Sequence, residues 1–130
     1  MKKLNFEKKL IAWFEANRGR KFEWGNFDCA IAILEAIDIV YGEKLHPITW
    51  TNEEEAVAAY IKIAGSKQFL INAGFRRVES RHTGDIAVLK IKDMMRATCI
   101  VINDKYAVFG ENNVFQLRNF TNEEYIVLRK

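Results

Sequence analysis

Apolar residues recur at helical spacing through the first half of the chain and at strand spacing through the second half. The first helical stretch, residues 4–16, has its large apolar side chains at i, i+4, i+7 and i+8: Phe6, Leu10, Trp13 and Phe14. A second helix is predicted to begin at Asp28 and to end before Gly42, and it is apolar on nearly every side through residues 30–34. Thr51 and Glu54 form a capping-box pattern that predicts a third helix, which ends at Gly65. A short helical turn to Ala73 ends at a second glycine, Gly74.

After Gly74 the apolar residues alternate with a period of two. Strands are predicted over residues 85–91, 98–102, 106–109, 114–117 and 125–128. The polar residues 103–105 between two of these strands are typical of a hairpin turn. Helices followed by antiparallel strands predict an α+β fold, in which N-terminal helices pack on a C-terminal antiparallel sheet arranged as a meander. The absence of repeats, low-complexity stretches and linkers predicts one domain over residues 1–130.

Composition narrows the class of protein. The chain has 130 residues, 49% of them apolar, and a single proline, which excludes a disordered, collagen-like or coiled-coil chain. No apolar run approaches the roughly 18 residues that span a bilayer, and no secretory signal is recognisable at the N-terminus. A net charge of +3 gives little reason to expect a nucleic-acid partner. The two cysteines are far apart and form no metal pattern, so we expect free thiols, no metal and no cofactor.

The segment with the most candidate chemistry runs from Trp24 to Ala30. A glycine-bearing aromatic loop delivers Cys29 into the first turn of the second helix, where unpaired amides and the helix dipole can stabilise a thiolate. Asp28 suits the N-cap position, although its charge would oppose thiolate formation. The alternative is that Cys29 is a small buried residue without chemistry.

The pattern W-G-x-x-D-C-A, from Trp24 onward, is followed by G-D-I-A-V, which begins at Gly84. Together these patterns resemble the NlpC-like branch of the papain-like cysteine peptidases. They are most similar to small phage and prophage proteins with a W-G-x-x-D-C signature. The resemblance implies a compact papain-like fold of the NlpC type. It also implies that Cys29 is the nucleophile and that Gly84 and Asp85 form the turn that begins the central sheet.

The sequence departs from the family where the catalytic histidine is expected. In NlpC-like peptidases this histidine begins the next strand, and here Ala97 or Thr98 stands at that position, neither of which can accept a proton from the thiol. His82 is the first substitute base to consider, with an ordinary loop histidine as the alternative, and no histidine follows it. His46, beside the proline, is interpreted as a turn residue. Glu111 and Asn112 are weak candidates for the third, orienting residue, because they lie in a predicted turn.

The other patterns are also ambiguous. The aromatic residues around Trp24 could form a sugar-stacking surface, or they could anchor the loop to the core. Trp24 and Asp28 are accordingly the candidate binding residues. Basic residues near the N-terminus form either a solvated helix face or a surface for an acidic partner.

The resemblance thus implies a virion- or tail-associated phage protein on a peptidoglycan-peptidase scaffold, catalytically impaired because the histidine is absent. The expected partners are other virion or tail proteins or a cell-wall peptide, and the expected location is the cytoplasm of the bacterial host during assembly or the virion itself. One alternative is an active cysteine peptidase or amidase that cleaves cell-wall peptides, with Cys29 as nucleophile and His82 as base. A second alternative is a module that binds glycan or peptide without catalysis.

Overall fold

The computed structural model describes residues 1–44, 52, 54–55, 67–92, 95–110, 112–121 and 124–130. Most of the third predicted helix lies outside these residues, as do His46 and Glu111. No helix of the described part is long and apolar enough to cross a membrane.

Three helices have both of their ends among the described residues, and the ends of α2 follow the predicted signals. Helix α1 spans Phe6–Asn17 and buries Leu10 and Phe14. Helix α2 spans Cys29–Tyr41, and it ends at Gly42, which adopts the left-handed conformation (φ 69°) that glycine tolerates best. Helix α3 is a short segment, Lys67–Asn72.

Six antiparallel strands form one sheet in the order β1-β6-β2-β3-β4-β5. The strands are β1 (Arg76–Val78), β2 (Ile86–Lys92), β3 (Met95–Ile102), β4 (Lys105–Phe109), β5 (Phe115–Asn119) and β6 (Tyr125–Arg129). Strands β2 to β5 are a meander, as predicted, but β6 returns to pair between β1 and β2. The three-residue strand β1 was not predicted, because an isolated Arg76–Val78 segment has no period-two pattern long enough to recognise.

The helices and the sheet enclose the main core on one face of the sheet. Side chains from alternate positions of the strands meet the buried faces of α1 and α2 there: Leu10, Phe14, Phe27, Ile33, Ile37, Val40, Ile86, Val88, Ile100, Ile102 and Leu128. The intervening strand positions form a smaller core on the opposite face: Ala87, Leu89, Cys99 and Val101. The α+β prediction, with N-terminal helices and an antiparallel sheet, is confirmed.

Candidate functional site

Asp28 holds the loop before α2 in place. One carboxylate oxygen accepts a hydrogen bond from the backbone N–H of Ile31 at 2.9 Å, and the other accepts from the N–H of Gly25, also at 2.9 Å. The first bond is the N-cap bond that the sequence predicted. Asp28 is only 2% exposed, so its carboxylate stabilises the loop from the buried side and offers little surface to a ligand.

An aromatic cluster supports the same loop. Phe27 is fully buried, and its ring makes edge-to-face contacts with Trp13, Phe109 and Phe115 at centroid distances of 6.5, 5.3 and 5.1 Å. Trp24 lies at the outer end of the cluster. It packs edge-on against Phe22 at 4.5 Å and keeps 39% of its surface exposed. Most of the aromatic residues near the cysteine therefore anchor the loop, while Trp24 remains available to a partner.

Cys29 is the first residue of α2 and is solvent-accessible. The surrounding protein nevertheless desolvates its sulfur, and the carboxylate of Asp28 adds repulsion, so that the pKa of the thiol is raised to about 11. The residue's own backbone N–H acts in the opposite direction but does not compensate. The pKa is therefore shifted in the direction opposite to the one expected from the helix start. At neutral pH Cys29 is a neutral thiol and a poor nucleophile.

Thr98 lies on β3, on the face that meets the helices. Residues two apart in a strand face the same side, so Thr98 shares its face with Ile100, which belongs to the helix-side core. Ala97 and Cys99 belong to the opposite face. Thr98 is 6% exposed and pairs with Val88 across the β2–β3 ladder. Of the two positions at which a histidine was expected, Thr98 is therefore the one directed toward α2.

The register of the sheet also places Thr98 away from the far end of α2, where Val40 lies. Gly84, just before β2, lies against Val40 near the end of α2, and β2 and β3 extend away from that point. The pKa of the Cys99 thiol, next to Thr98, responds to the charge state of Cys29. Burial raises the pKa of Cys99, and the negative charge that Cys29 would carry raises it further.

His82 lies at the other end of α2. Gly84, two residues later, packs so closely on Val40 that a Cβ atom there would lie 3.0 Å from its Cγ1. Val40 is eleven residues after Cys29, which corresponds to about 16 Å along the helix axis. The imidazole of His82 is exposed, and its backbone N–H donates to Asp85. The structure does not bring His82 and Cys29 together.

Of the two candidates for the orienting residue, Asn112 alone lies among the described residues. Asn112 is exposed in the turn between β4 and β5. That turn lies next to the aromatic loop, because the N–H of Phe22 donates to the carbonyl oxygen of Asn113 at 2.7 Å. No group of three or more potential metal ligands occurs in the described part of the chain.

An ionic network around Asp85 occupies the far end of α2. Asp85 is fully buried, and its carboxylate accepts hydrogen bonds from Arg129 at 2.7 and 2.6 Å and from the backbone N–H of His82 at 2.8 Å. Lys2 lies 2.8 Å away and also donates to the carbonyl oxygen of Thr83. The sequence pattern predicts Asp85 in the turn but does not identify its partners. Twenty lysines and arginines were available, and the pattern alone gives no means of choosing between them.

The fold and the site define an α+β domain with an accessible cysteine at the start of its central helix and a threonine on the strand face directed toward that helix. The chain belongs to the family described as a domain of unknown function, DUF6950, which it matches over residues 1–122. No curated protein and no solved structure matches it.

Proposed function

We propose that this protein is a non-catalytic, NlpC-like domain of the papain-like type that serves as a virion- or tail-associated protein of a phage or prophage. The observation that carries the loss of catalysis is the position of Thr98. A hydroxyl group stands on the helix-facing side of β3, where a papain-like peptidase needs an imidazole. The phage assignment rests on the resemblance of the loop and turn motifs.

Two further features support the absence of catalysis. The environment of Cys29 raises the pKa of its thiol to about 11, whereas an activated cysteine has a pKa well below the usual 8.5. His82 is separated from Cys29 by most of the length of α2. Among the described residues, His82 is therefore too distant to take the proton of Cys29, and the raised pKa disfavours the thiolate.

Restoring the missing base tests this proposal. Thr98→His should place an imidazole near Cys29 and lower the pKa of its thiol, because an imidazolium ion stabilises a thiolate. Ala97→His is the matched control, since its side chain belongs to the opposite face of the sheet. We expect iodoacetamide to alkylate Cys29 near pH 6 at least about tenfold faster in Thr98→His than in the wild type, a shift of about one pKa unit. Circular dichroism would verify that both variants fold.

Two outcomes would contradict the non-catalytic assignment. The first is rapid alkylation of Cys29 near pH 6 in the unmodified protein, and the second is cleavage of muropeptides that Cys29→Ala abolishes. Either outcome would favour the active peptidase instead. Equal effects of Thr98→His and Ala97→His would refute the placement of Thr98 beside the cysteine.

The assembly role has a separate test. Phage particles would be purified from a host that carries the intact gene or the Cys29→Ala variant, and the protein would be quantified in them by mass spectrometry. We expect both forms to be incorporated to the same extent and the phage titre to be unchanged. Absence of the intact protein from particles and from tail-assembly intermediates would refute the role.

The exposure of Trp24 favours one second candidate, a binding module for glycan or peptide. Aromatic side chains with an exposed face commonly stack on sugars or pack on peptides. Titration of labelled muropeptides would test it, with Trp24→Ala as the variant and Trp13→Phe as an aromatic control, because Trp13 is half-buried against the core. A lack of saturable binding, or equal binding by Trp24→Ala, would exclude this function.

A further inference from the structure

Between α1 and α2 the chain crosses the surface beside the beginning of β5. The N–H of Phe22 donates to the carbonyl oxygen of Asn113 at 2.7 Å. Two residues along each strand, the N–H of Phe115 donates to the carbonyl oxygen of Arg20 at 2.9 Å. These antiparallel bonds hold this part of the chain against the sheet, so the side chains that it carries stand at defined positions.

Arg20 is an exposed cation whose side chain is held in place. The carbon centre of its guanidinium lies 4.4 Å from the centroid of the Phe27 ring, which is fully buried. Its Nη1 atom also donates a hydrogen bond to Oδ1 of Asn17 at 3.0 Å. A cation–π contact and a hydrogen bond therefore restrict a side chain that otherwise has large rotamer freedom on a protein surface.

The guanidinium of Arg20 has no acidic partner among the described residues. Arg18, two residues earlier, lies 3.7 Å from the carboxylate of Glu15, but Arg20 forms no such pair. Within this part of the chain the only hydrogen bond of its side chain uses Nη1. The edge formed by Nε and Nη2 can therefore donate two parallel hydrogen bonds, a geometry that matches the two oxygen atoms of a carboxylate.

An exposed aromatic side chain lies next to this cation. Phe22 packs on Phe109 at a centroid distance of 5.2 Å, and Phe109 packs at 5.3 Å on Phe27, the ring beneath the guanidinium. Trp24 packs edge-on against Phe22 and keeps 39% of its surface exposed. Arg20 and Trp24 therefore lie above the same group of core rings, with the single ring of Phe22 between them.

Backbone pairing and charge narrow the class of ligand. Glu23 pairs with Phe27 in a second backbone bridge, so the segment offers little strand edge to which an extended peptide could pair. Lys21 alternates with Arg20 and Phe22 and therefore faces the opposite side of the segment. One cation remains, which suits a singly charged carboxylate better than a doubly charged phosphate. An indole and one guanidinium edge together suit a sugar ring that bears a carboxylate.

We propose that Arg20 and Trp24 form a binding site for an acidic saccharide. The indole of Trp24 stacks on a sugar ring, and the guanidinium of Arg20 binds the carboxylate of that sugar or of the next one. The proposal deepens the second candidate function, glycan binding, and rests on it. The binding chemistry requires neither the thiol of Cys29 nor an imidazole.

A labelled oligosaccharide tests the site directly. The probe is the trisaccharide of galacturonic acid, labelled with fluorescein at its reducing end and titrated against the full chain by fluorescence anisotropy. Its methyl ester keeps the sugar rings and removes the negative charges. A peptide of alternating Glu and Ala carries the same charge without a sugar ring. We expect saturable binding of the acidic trisaccharide, and binding at least about tenfold weaker for the ester and for the peptide.

Three variants separate recognition of the carboxylate from stacking. Arg20→Gln should weaken binding of the acidic trisaccharide by about tenfold or more and should change binding of the ester by less than about twofold. Arg18→Gln is the matched control, because it removes the same charge from an exposed arginine two residues away, and it should change either affinity by less than about twofold. Trp24→Ala should weaken binding of both saccharides. Thermal unfolding would verify the fold of each variant.

Four results would overturn the inference. They are the absence of saturable binding of the acidic trisaccharide, equal binding of the acid and its ester, equal weakening of both saccharides by Arg20→Gln, and binding of the peptide as tight as that of the trisaccharide. The third would assign Arg20 a purely structural role, and the fourth would assign the site to an acidic protein segment. Loss of binding in Trp24→Ala without an effect of Arg20→Gln would refute carboxylate recognition but leave glycan binding standing, so the two failures are distinguishable.

Discussion

Asp85→Asn is the substitution for which the structure predicts the largest electrostatic loss of stability. The carboxylate is fully buried and bears hydrogen bonds from Arg129, from Lys2 and from the backbone N–H of His82. An asparagine has nearly the same shape, but it carries no charge and presents an NH₂ group to one of these donors. Arg129 and Lys2 would then remain close together without a counter-charge.

The magnitude follows from the burial of each partner. Removing one member of a buried ion pair typically costs about 3–5 kcal/mol, because the other charge is left unpaired. Here the side chains of Lys2 and Arg129 retain 16% and 26% of their exposure, so water can partly solvate them once the carboxylate is lost. We therefore expect the free energy of unfolding to fall by about 3 kcal/mol, at the lower end of that range. For a chain of this length the melting temperature should fall by about 10 °C.

Urea denaturation followed by circular dichroism would measure this loss. Asp104→Asn is the matched control, because Asp104 also pairs with an arginine, Arg81, but its side chain is 76% exposed. An exposed pair of this kind is worth at most about 1 kcal/mol. Equal losses in the two variants, or a loss below about 1 kcal/mol for Asp85→Asn, would refute the argument that burial gives the network its strength.

The same network predicts a direction for the pH dependence. Burial tends to raise the pKa of Asp85, but hydrogen bonds from Arg129 and Lys2 outweigh it and hold the pKa below its ordinary value. The carboxylate therefore stabilises the fold fully above its unfolded pKa of about 3.9, and this contribution is lost as the pH falls through the folded value. The stability difference between wild type and Asp85→Asn should be constant near neutral pH and should shrink below about pH 4. A difference that grows on acidification would contradict the assigned sign.

Three further measurements follow from the site and its surroundings. The alkylation rate of Cys29 with iodoacetamide should still rise at pH 9, because its thiol has a pKa of about 11, while the buried Cys99 should be protected; a plateau below pH 8 would refute this. Gly84→Ala should lower the free energy of unfolding by about 2 kcal/mol or more, because the φ of Gly84 is +89° and a Cβ atom there would contact α2. Gly19→Ala is the control, because Gly19 has a φ of +80° but open space around it, and it should cost only about 1 kcal/mol. Equal losses for the two variants in chemical denaturation would show that the contact with α2 adds no cost. Asp28→Ala should lower the free energy of unfolding by about 1–2 kcal/mol through loss of the N-cap, whereas an unchanged urea midpoint would show that the cap is dispensable.

The local elements were predictable because their signals are local. The end of α2 at Gly42, the N-cap at Asp28 and the hairpin turn at Asn103 and Asp104 each depend on one residue type at one backbone conformation. Both hairpin residues have positive φ, as the turn requires. The position of β6 between β1 and β2 was not predictable. Strand order depends on which surfaces are buried together, and it produces no periodic pattern in the sequence.

The position of Cys29 at the start of a helix was predictable, but the electrostatics around its thiol were not. The sequence placed Cys29 at a helix start, which favours a thiolate through the helix dipole. The structure adds desolvation of the sulfur and the nearby carboxylate of Asp28, and these dominate. Desolvation depends on how tightly distant parts of the chain enclose the sulfur atom, so no local pattern could have revealed it.

The two ends of α2 show why a fold of this kind does not depend on a catalytic base. At its far end the helix is fixed by the hydrogen bond from the N–H of Lys3 to the carbonyl oxygen of Val40 at 2.7 Å and by the hydroxyl of Tyr41, which donates to the carbonyl oxygen of Gly84 at 2.9 Å. At its beginning the cap of Asp28 holds the loop without any contribution from the thiol. A threonine on the helix-facing side of β3 fills its buried position with less volume and less desolvation cost than an imidazole. The fold therefore does not require an imidazole at this position.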